Sequence, residues 1–214
     1  ELLSEYLDVV IRREIMERFR LNDEEVIKTV LKLVFNSTAI TISKLTDSLN
    51  SLQLPTAKTT VARYLSHIES SYLLKQLYLY APKVRAKLQY PRKLYFIDNG
   101  FLTVMSVKFG PNYGRLWENL IYWQLYKKHG DNLHYYRDER GEVDFCVLEN
   151  GRAVSLYQVC YDFSDLETRE REVHTLRRVG KKLGVLDLNL IFGQIGEKAE
   201  EKGIKVFDPL EILG

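Results

Sequence analysis

The chain has 214 residues, 45% of them hydrophobic and 28% charged, and a formal net charge of +2 at pH 7. This composition is typical of a packed globular protein and excludes collagen-like and intrinsically disordered chains. No apolar run approaches the roughly 20 residues of a membrane span and the first residues do not resemble a signal peptide, so we expect a cytoplasmic protein without a membrane partner.

The first predicted elements are two amphipathic helices, over Leu2–Arg20 and Glu24–Asn36. We assign residues 1–36 as a helical lead. Because the periodic pattern begins abruptly at a residue other than Met, we expect a fragment that follows another module of a longer protein.

Residues 37–100 show the order of a winged helix-turn-helix. A brief helix is predicted over Ser43–Leu49 and a longer one over Thr59–Ser70, and strands are predicted at Leu74–Leu79 and Leu94–Ile97. Between the two strands lies a basic loop, residues 83–93, which corresponds to the wing.

The winged-helix segment carries a local excess of positive charge. From residue 37 to residue 93 there are nine Lys or Arg residues and two acidic ones. A local excess of this size indicates a polyanionic partner, and double-stranded DNA fits a recognition helix with a basic wing. A winged helix that packs on a protein is the alternative. The predicted DNA contacts are Lys58, Thr59, Thr60, Arg63 and His67 on the helix and Lys83, Arg85, Lys87, Arg92 and Lys93 on the wing.

Residues 101–214 are predicted to form a mixed sheet flanked by helices. The predicted order is a helix over 114–129, strands at 133–137, 143–148 and 153–160, a charged helix over 165–183, and strands at 188–193 and 206–207. The fold class is therefore α+β or α/β throughout the chain.

Three polar residues of this segment suggest a metal site. Glu118 lies in the first turns of a helix, Asp144 near the start of a strand, and Gln158 near the end of the next strand. Such groups at adjacent antiparallel strand ends could hold Mg²⁺ or Mn²⁺ and orient water against a phosphodiester. Cys146 and Cys160 lack the spacing of a zinc site and are expected to be small buried residues.

Several dispersed motifs resemble a known family. The motifs are residues 114–120 (GRLWENL), 141–145 (GEVDF) and 157–162 (YQVCYD), followed by 167–172 (ETRERE). Together they resemble the C-terminal domain of archaeal and bacterial AAA-type ATPases. That domain is similar to the PD-(D/E)XK nuclease superfamily. Residues 59–65 and 94–100 resemble the winged helix that joins ATPase and nuclease-like part in those proteins. The resemblance implies a restriction-endonuclease-like fold for residues 101–214.

Carried over by position, the resemblance places the helix Glu of the superfamily at Glu118 and the strand Asp at Asp144. The (D/E)-X-K tripeptide falls on Gln158-Val159-Cys160. Gln brings no negative charge and the Cys thiol cannot replace a lysine ammonium, so the metal site is expected to be disabled. The basic residues nearest in sequence that could replace the lysine are Arg137, Arg152 and Arg169.

The sequence contains no G-x-x-x-x-G-K-[ST] loop, so ATP would bind only to an upstream domain outside this chain. We therefore expect a DNA- or partner-binding C-terminal region of an AAA-type ATPase with an inactive nuclease-like site and no cofactor of its own. The alternatives are a metal-dependent endonuclease that uses Glu118 and Asp144, and a protein-interaction module.

Overall fold

The structure is a computed structural model that describes residues 2–81, 89–105, 112–162, 165–193, 201–207 and 211–212. The predicted wing residues Lys83, Arg85 and Lys87 lie outside the described residues. The chain forms two compact units, one of Glu1–Gln76 with Gln89–Pro111 and one of Leu77–Leu88 with Asn112–Gly214. Within the described residues, no helix is long and apolar enough to cross a membrane.

The first unit begins with the helical lead. Helix α1 spans Leu2–Val9 and continues as a π-helix over Val10–Glu17. The prediction of one helix therefore holds, but its second half is wound more widely. A π-helix pairs backbone groups that are five residues apart, and this one buries Val10, Ile11 and Ile15.

The rest of the first unit has the element order of a winged helix, as predicted. Its elements are α2 (Glu24–Phe35), β1 (Ala39–Ile40), α3 (Ile42–Ser51), α4 (Lys58–Ser70), β2 (Leu74–Leu77), β3 (Arg92–Phe96) and α5 (Asn99–Met105). The strands form one sheet in the order β1-β3-β2. The sequence did not indicate β1, which has only two residues. Phe35 stacks on Phe96 at 4.3 Å between ring centroids, joining α2 to β3.

The second unit is a mixed five-stranded sheet with two long helices, which confirms the predicted fold class. Its elements are α6 (Tyr113–His129), β4 (Leu133–Asp138), β5 (Gly141–Glu149), β6 (Arg152–Cys160), α7 (Leu166–Leu183), β7 (Asp187–Phe192) and β8 (Lys205–Phe207). The strand order follows the chain; β4, β5 and β6 are antiparallel, and β6, β7 and β8 are parallel. Core residues on α7 (Leu176 and Val179) cluster with strand residues such as Val143, Leu156 and Leu190.

The two units divide the chain differently from the sequence boundaries at residues 36 and 100. The lead belongs to the first unit together with the winged helix, and α5 does so as well. The chain just after β2 belongs to the second unit, because the Tyr80 N–H donates to the Tyr135 carbonyl (2.7 Å) and the Tyr135 N–H donates to the Tyr78 carbonyl (3.1 Å).

Candidate nucleic-acid interface and nuclease-like site

Helix α4 exposes one side of its first two turns. It begins at Lys58, directly after the extended residue Ala57, and its apolar stripe of Val61, Tyr64, Leu65 and Ile68 is buried. Residues at other positions around the helix therefore face water. Lys58, Thr59 and Arg63 are exposed, and Thr60 is partly buried.

As far as the structure describes the chain, the two cations on this part of α4 have no acidic partner. The first turn holds no acidic residue. Within the described residues, neither Lys58 nor Arg63 forms an ion pair; the Arg63 guanidinium lies 5.9 Å from the centre of the Tyr64 ring. Exposed cations of this kind can bind an anion such as a phosphate group.

His67 is placed differently from the other predicted contacts. Its ring stacks on Phe19 of the lead, with centroids 3.8 Å apart and planes 19° apart. Burial lowers the pKa of His67, and the charge of Arg63 lowers it further. His67 therefore serves as a neutral packing group in this structure. On the wing, Arg92 is partly buried and Lys93 is only 7% exposed, so Lys93 does not present its charge to solvent.

In the second unit, Asp144 and Gln158 meet where β5 and β6 stop pairing. The ladder between the two strands reaches Phe145 opposite Tyr157. Beyond that pair, side chains accept the hydrogen bonds of the backbone. The Asp144 N–H donates to Gln158 Oε1 (3.4 Å), and the Val159 N–H donates to Asp144 Oδ2 (3.0 Å). Both side chains are buried and satisfy backbone groups that the ladder leaves open.

Helix α7 adds two residues that the sequence reasoning did not place in the site. Gln158 Nε2 donates to Glu172 Oε2 at 2.7 Å, and the Arg171 guanidinium donates to Glu172 Oε1 at 2.9 and 3.2 Å. Only the motif at residues 167–172 hinted at them. The amide of Gln158 therefore joins the backbone N–H of Asp144, bound by its oxygen, to the carboxylate of Glu172, bound by its nitrogen.

Cys160 lies at the end of this network as a buried thiol. Its Sγ donates to the Asp162 carbonyl at 3.1 Å. Burial raises the pKa of Cys160 to about 11, and the negative charges of Glu172, Asp162 and Asp144 contribute. The thiol is neutral at physiological pH, so it supplies no charge of either sign.

Glu118 lies partly buried on α6, one turn after Arg115. Burial lowers the pKa of Arg115, and the charge of Glu118 opposes that shift. The described ranges contain no group of three or more His, Cys, Asp or Glu side chains that could hold a metal ion. Asp144 Oδ2 and Gln158 Oε1 already accept protein hydrogen bonds, and Gln158 turns a donor toward Glu172. In this arrangement Gln158 presents an N–H donor, and not an oxygen atom, to the Glu172 carboxylate.

The three arginines considered as replacements for the lysine lie elsewhere. Arg137 pairs with Glu142 at 3.8 Å, and Arg169 pairs with Glu201 at 2.8 Å. Arg152 is exposed at the start of β6, six residues or about 20 Å along the strand from Gln158. The basic side chain beside the network is Arg171, which is bound to Glu172.

Comparisons with known proteins give two domain matches. Residues 1–111 match the model described as Domain of unknown function (DUF8612), and residues 113–204 match the Domain of unknown function (DUF4143). The boundary between the matches agrees with the contact boundary after Pro111.

Two curated relatives are similar over nearly the whole chain. An uncharacterised protein of Methanocaldococcus jannaschii, MJ1544, is 29% identical over 207 residues, which cover 94% of this chain and 45% of the relative. An uncharacterised protein of Haemophilus influenzae is 23% identical over 207 residues, which cover 96% of this chain and 50% of the relative. The chain thus spans about half the length of the curated relatives it matches. No solved structure matches.

Proposed function

The chain belongs to the DUF8612 family, and from this premise we propose that it is the DNA-binding C-terminal region of an AAA-type ATPase. Its winged helix binds double-stranded DNA through α4, and its second unit is a nuclease-like scaffold without a working metal site. Because bacterial and archaeal DNA lies in the cytoplasm, this function implies a cytoplasmic protein.

One observation carries the DNA-binding proposal: α4 exposes Lys58, Thr59 and Arg63 in its first two turns, without an acidic residue in the first turn. Cations attract phosphates, and hydroxyl groups can donate to phosphate oxygens or base edges. The covered position of His67 restricts the contact to these first two turns.

Two facts support a place beside an ATPase. The second unit matches DUF4143, a domain commonly found as the C-terminal part of AAA-type ATPases. The curated relatives are about twice as long as the matched region, which leaves room for a further domain in those proteins. The nucleotide-binding loop is absent from the present sequence.

The scaffold role rests on the hydrogen bonds of Asp144, Gln158 and Glu172. These hydrogen bonds join β5, β6 and α7. An active enzyme of the superfamily needs a second carboxylate ligand and a fixed cation near the attacking water. Gln158 and Cys160 supply neither charge.

The test is a titration of a labelled DNA duplex with the wild-type chain and with Arg63→Ala at several salt concentrations. Loss of one phosphate contact lowers the slope of log affinity against log salt concentration by about 0.9. If the two chains bind equally at 1 M salt, Arg63→Ala should therefore bind about eightfold more weakly than the wild type at 0.1 M salt. Lys127→Ala, an exposed lysine on α6 in the second unit, is the matched control and should leave the affinity unchanged.

Equal binding by the wild type and Arg63→Ala would refute DNA recognition by α4. Failure of the wild type to bind any duplex at low salt would favour the protein-interaction module. Cleavage of the duplex by carefully purified wild type with Mn²⁺, abolished by Asp144→Ala, would instead establish the phosphodiesterase.

A further inference from the structure

The end of the first helix of the lead, near Phe19, lies against the second half of α4. Phe19 stacks on His67, and the Tyr64 hydroxyl donates to the Asp23 carboxylate. His67 is one helical turn from Arg63. These contacts place the residues between Phe19 and Asp23 beside the part of α4 that follows the proposed DNA contacts.

Arg20 follows the first helix of the lead and adopts a conformation that favours glycine. Its φ is 52°, and the Leu21 N–H donates to the Met16 carbonyl at 2.8 Å, the bond of a helix that ends in a left-handed residue. A side chain with a Cβ is disfavoured there. The Arg20 side chain is exposed, and within the described residues it forms no ion pair that would offset this cost. Its guanidinium is therefore directed at solvent.

Two acidic groups close to Arg20 in sequence are engaged with other residues, while Glu17 and Glu25 are exposed without a described ion pair. The Asp23 carboxylate accepts the tyrosine hydroxyl, and Glu24 pairs with Lys28 at 2.9 Å. Glu17 is exposed and, as far as the structure describes the chain, takes part in no ion pair. Among the described residues, the Arg20 guanidinium therefore has no ion-pair partner, although Glu17 and Glu24 line the same surface pocket as Arg20.

We propose that Arg20 binds a phosphate of the same DNA duplex that α4 contacts, so that the lead and the winged helix form one DNA-binding surface. This inference rests on the proposed function. One turn of α4, about 5.4 Å, separates Arg63 from His67, and a 3.8 Å ring stack joins His67 to the residue before Arg20. Phe19 of the lead covers His67 on the second half of α4, and Arg20 supplies a cation beside that covered position. Because the contact is to phosphate, it adds affinity without sequence preference.

The experiment compares four chains in the duplex titration: wild type, Arg20→Gly, Arg20→Lys and Arg13→Ala. Arg20→Gly removes the guanidinium and also relaxes the left-handed backbone, so its melting temperature should equal or exceed that of the wild type. Its affinity should fall about eightfold at 0.1 M salt, with a salt slope smaller by about 0.9. Arg20→Lys keeps the charge and should keep the slope.

Arg13→Ala is the matched control, because Arg13 is also exposed on the lead and forms no ion pair within the described residues but lies seven residues earlier. It should bind as the wild type does. Equal affinity of Arg20→Gly and wild type, or an equal loss in Arg13→Ala, would overturn the assignment of Arg20 while Arg63→Ala still reports on α4. Absence of wild-type binding would instead overturn the proposed function.

Discussion

Replacing Gln158 with glutamate exchanges an amide for a carboxylate of nearly the same shape in a side chain that is 5% exposed. In the wild type, the amide nitrogen donates to Glu172 at 2.7 Å while the oxygen accepts the Asp144 N–H. The introduced carboxylate can still accept that N–H. It has no proton for Glu172, so two negative oxygens face each other in a largely buried site.

The expected loss follows from this contact. A hydrogen bond to a charged group contributes about 1.5–3 kcal/mol, and the like charge adds to the cost of losing it. We therefore expect Gln158→Glu to unfold with a free energy about 2–3 kcal/mol lower than the wild type at pH 8. The same repulsion raises the pKa of the introduced carboxyl group in the folded state.

The sign of the pH dependence follows from that raised pKa. Below the unfolded-state value of about 4.3 the carboxyl group is protonated in both states, and in the fold it donates to Glu172, so little stability is lost. As the pH rises, the unfolded state loses this proton first, at about pH 4.3, and the folded state loses it at its higher pKa. The loss of stability therefore grows between the two pKa values and is complete above the folded-state pKa.

Urea unfolding at pH 5 and pH 8 measures the effect for Gln158→Glu, Glu172→Gln and the double variant. The double variant exchanges donor and acceptor, so it should recover more than half of the stability that Gln158→Glu loses. Equal stability of Gln158→Glu and wild type at pH 8 would refute the described network, as would a double variant no more stable than Gln158→Glu.

Three further predictions concern other groups. Asp138→Asn should destabilise the second unit by about 1–2 kcal/mol at pH 7, because Asp138 accepts two hydrogen bonds from Arg178 at 2.7 and 2.9 Å. These bonds hold the pKa of Asp138 well below its usual range. The difference between variant and wild type in urea unfolding should therefore shrink as the pH falls below about 3.9. Phe19→Ala should raise the pKa of His67 toward its ordinary value in an NMR titration, because burial is the main cause of its lowering; an unchanged value would contradict the stack. Cys160 should not react with a thiol reagent at pH 8 in the native state, because burial raises its pKa to about 11; reaction as fast as in urea would contradict its burial.

The helices of the winged-helix segment could be predicted because their local signals agree with their packing. Helix α4 has buried residues at positions 61, 64, 65 and 68, the spacing of one helix face, and it starts two residues after the turn at Pro55 and Thr56. The predicted start at Thr59 and the observed start at Lys58 differ by one residue. In the second unit, the start of helix α7 also follows a local signal, because the side chain of Asp165 accepts a hydrogen bond from the Glu167 N–H.

The π-helix and the buried lysine could not be predicted from local pattern. Leu7, Ile11 and Ile15 recur every four residues, which suits either kind of helix, so the wider winding depends on the contacts of the folded unit. Lys93 pairs with Ala39 in the sheet, and its burial depends on that partner strand, which the sequence did not indicate.

The candidate site was predictable only in its strand residues. Asp144 and Gln158 lie on neighbouring strands joined by a short turn, so their proximity follows from the hairpin. Glu172 comes from a helix that crosses the sheet, fourteen residues after Gln158, and nothing local fixes which of its acids faces the strand end. Arg171 belongs to the site only through its hydrogen bonds to Glu172, so it could not be predicted for the same reason.

The most direct test of DNA recognition by α4 is the slope of log affinity against log salt concentration for a DNA duplex, measured for the wild type and for the double variant Lys58→Ala with Arg63→Ala. The proposed surface predicts a steep wild-type slope that is smaller by about 1.8 in the double variant, because two phosphate contacts are removed. The same slope in both chains would contradict it.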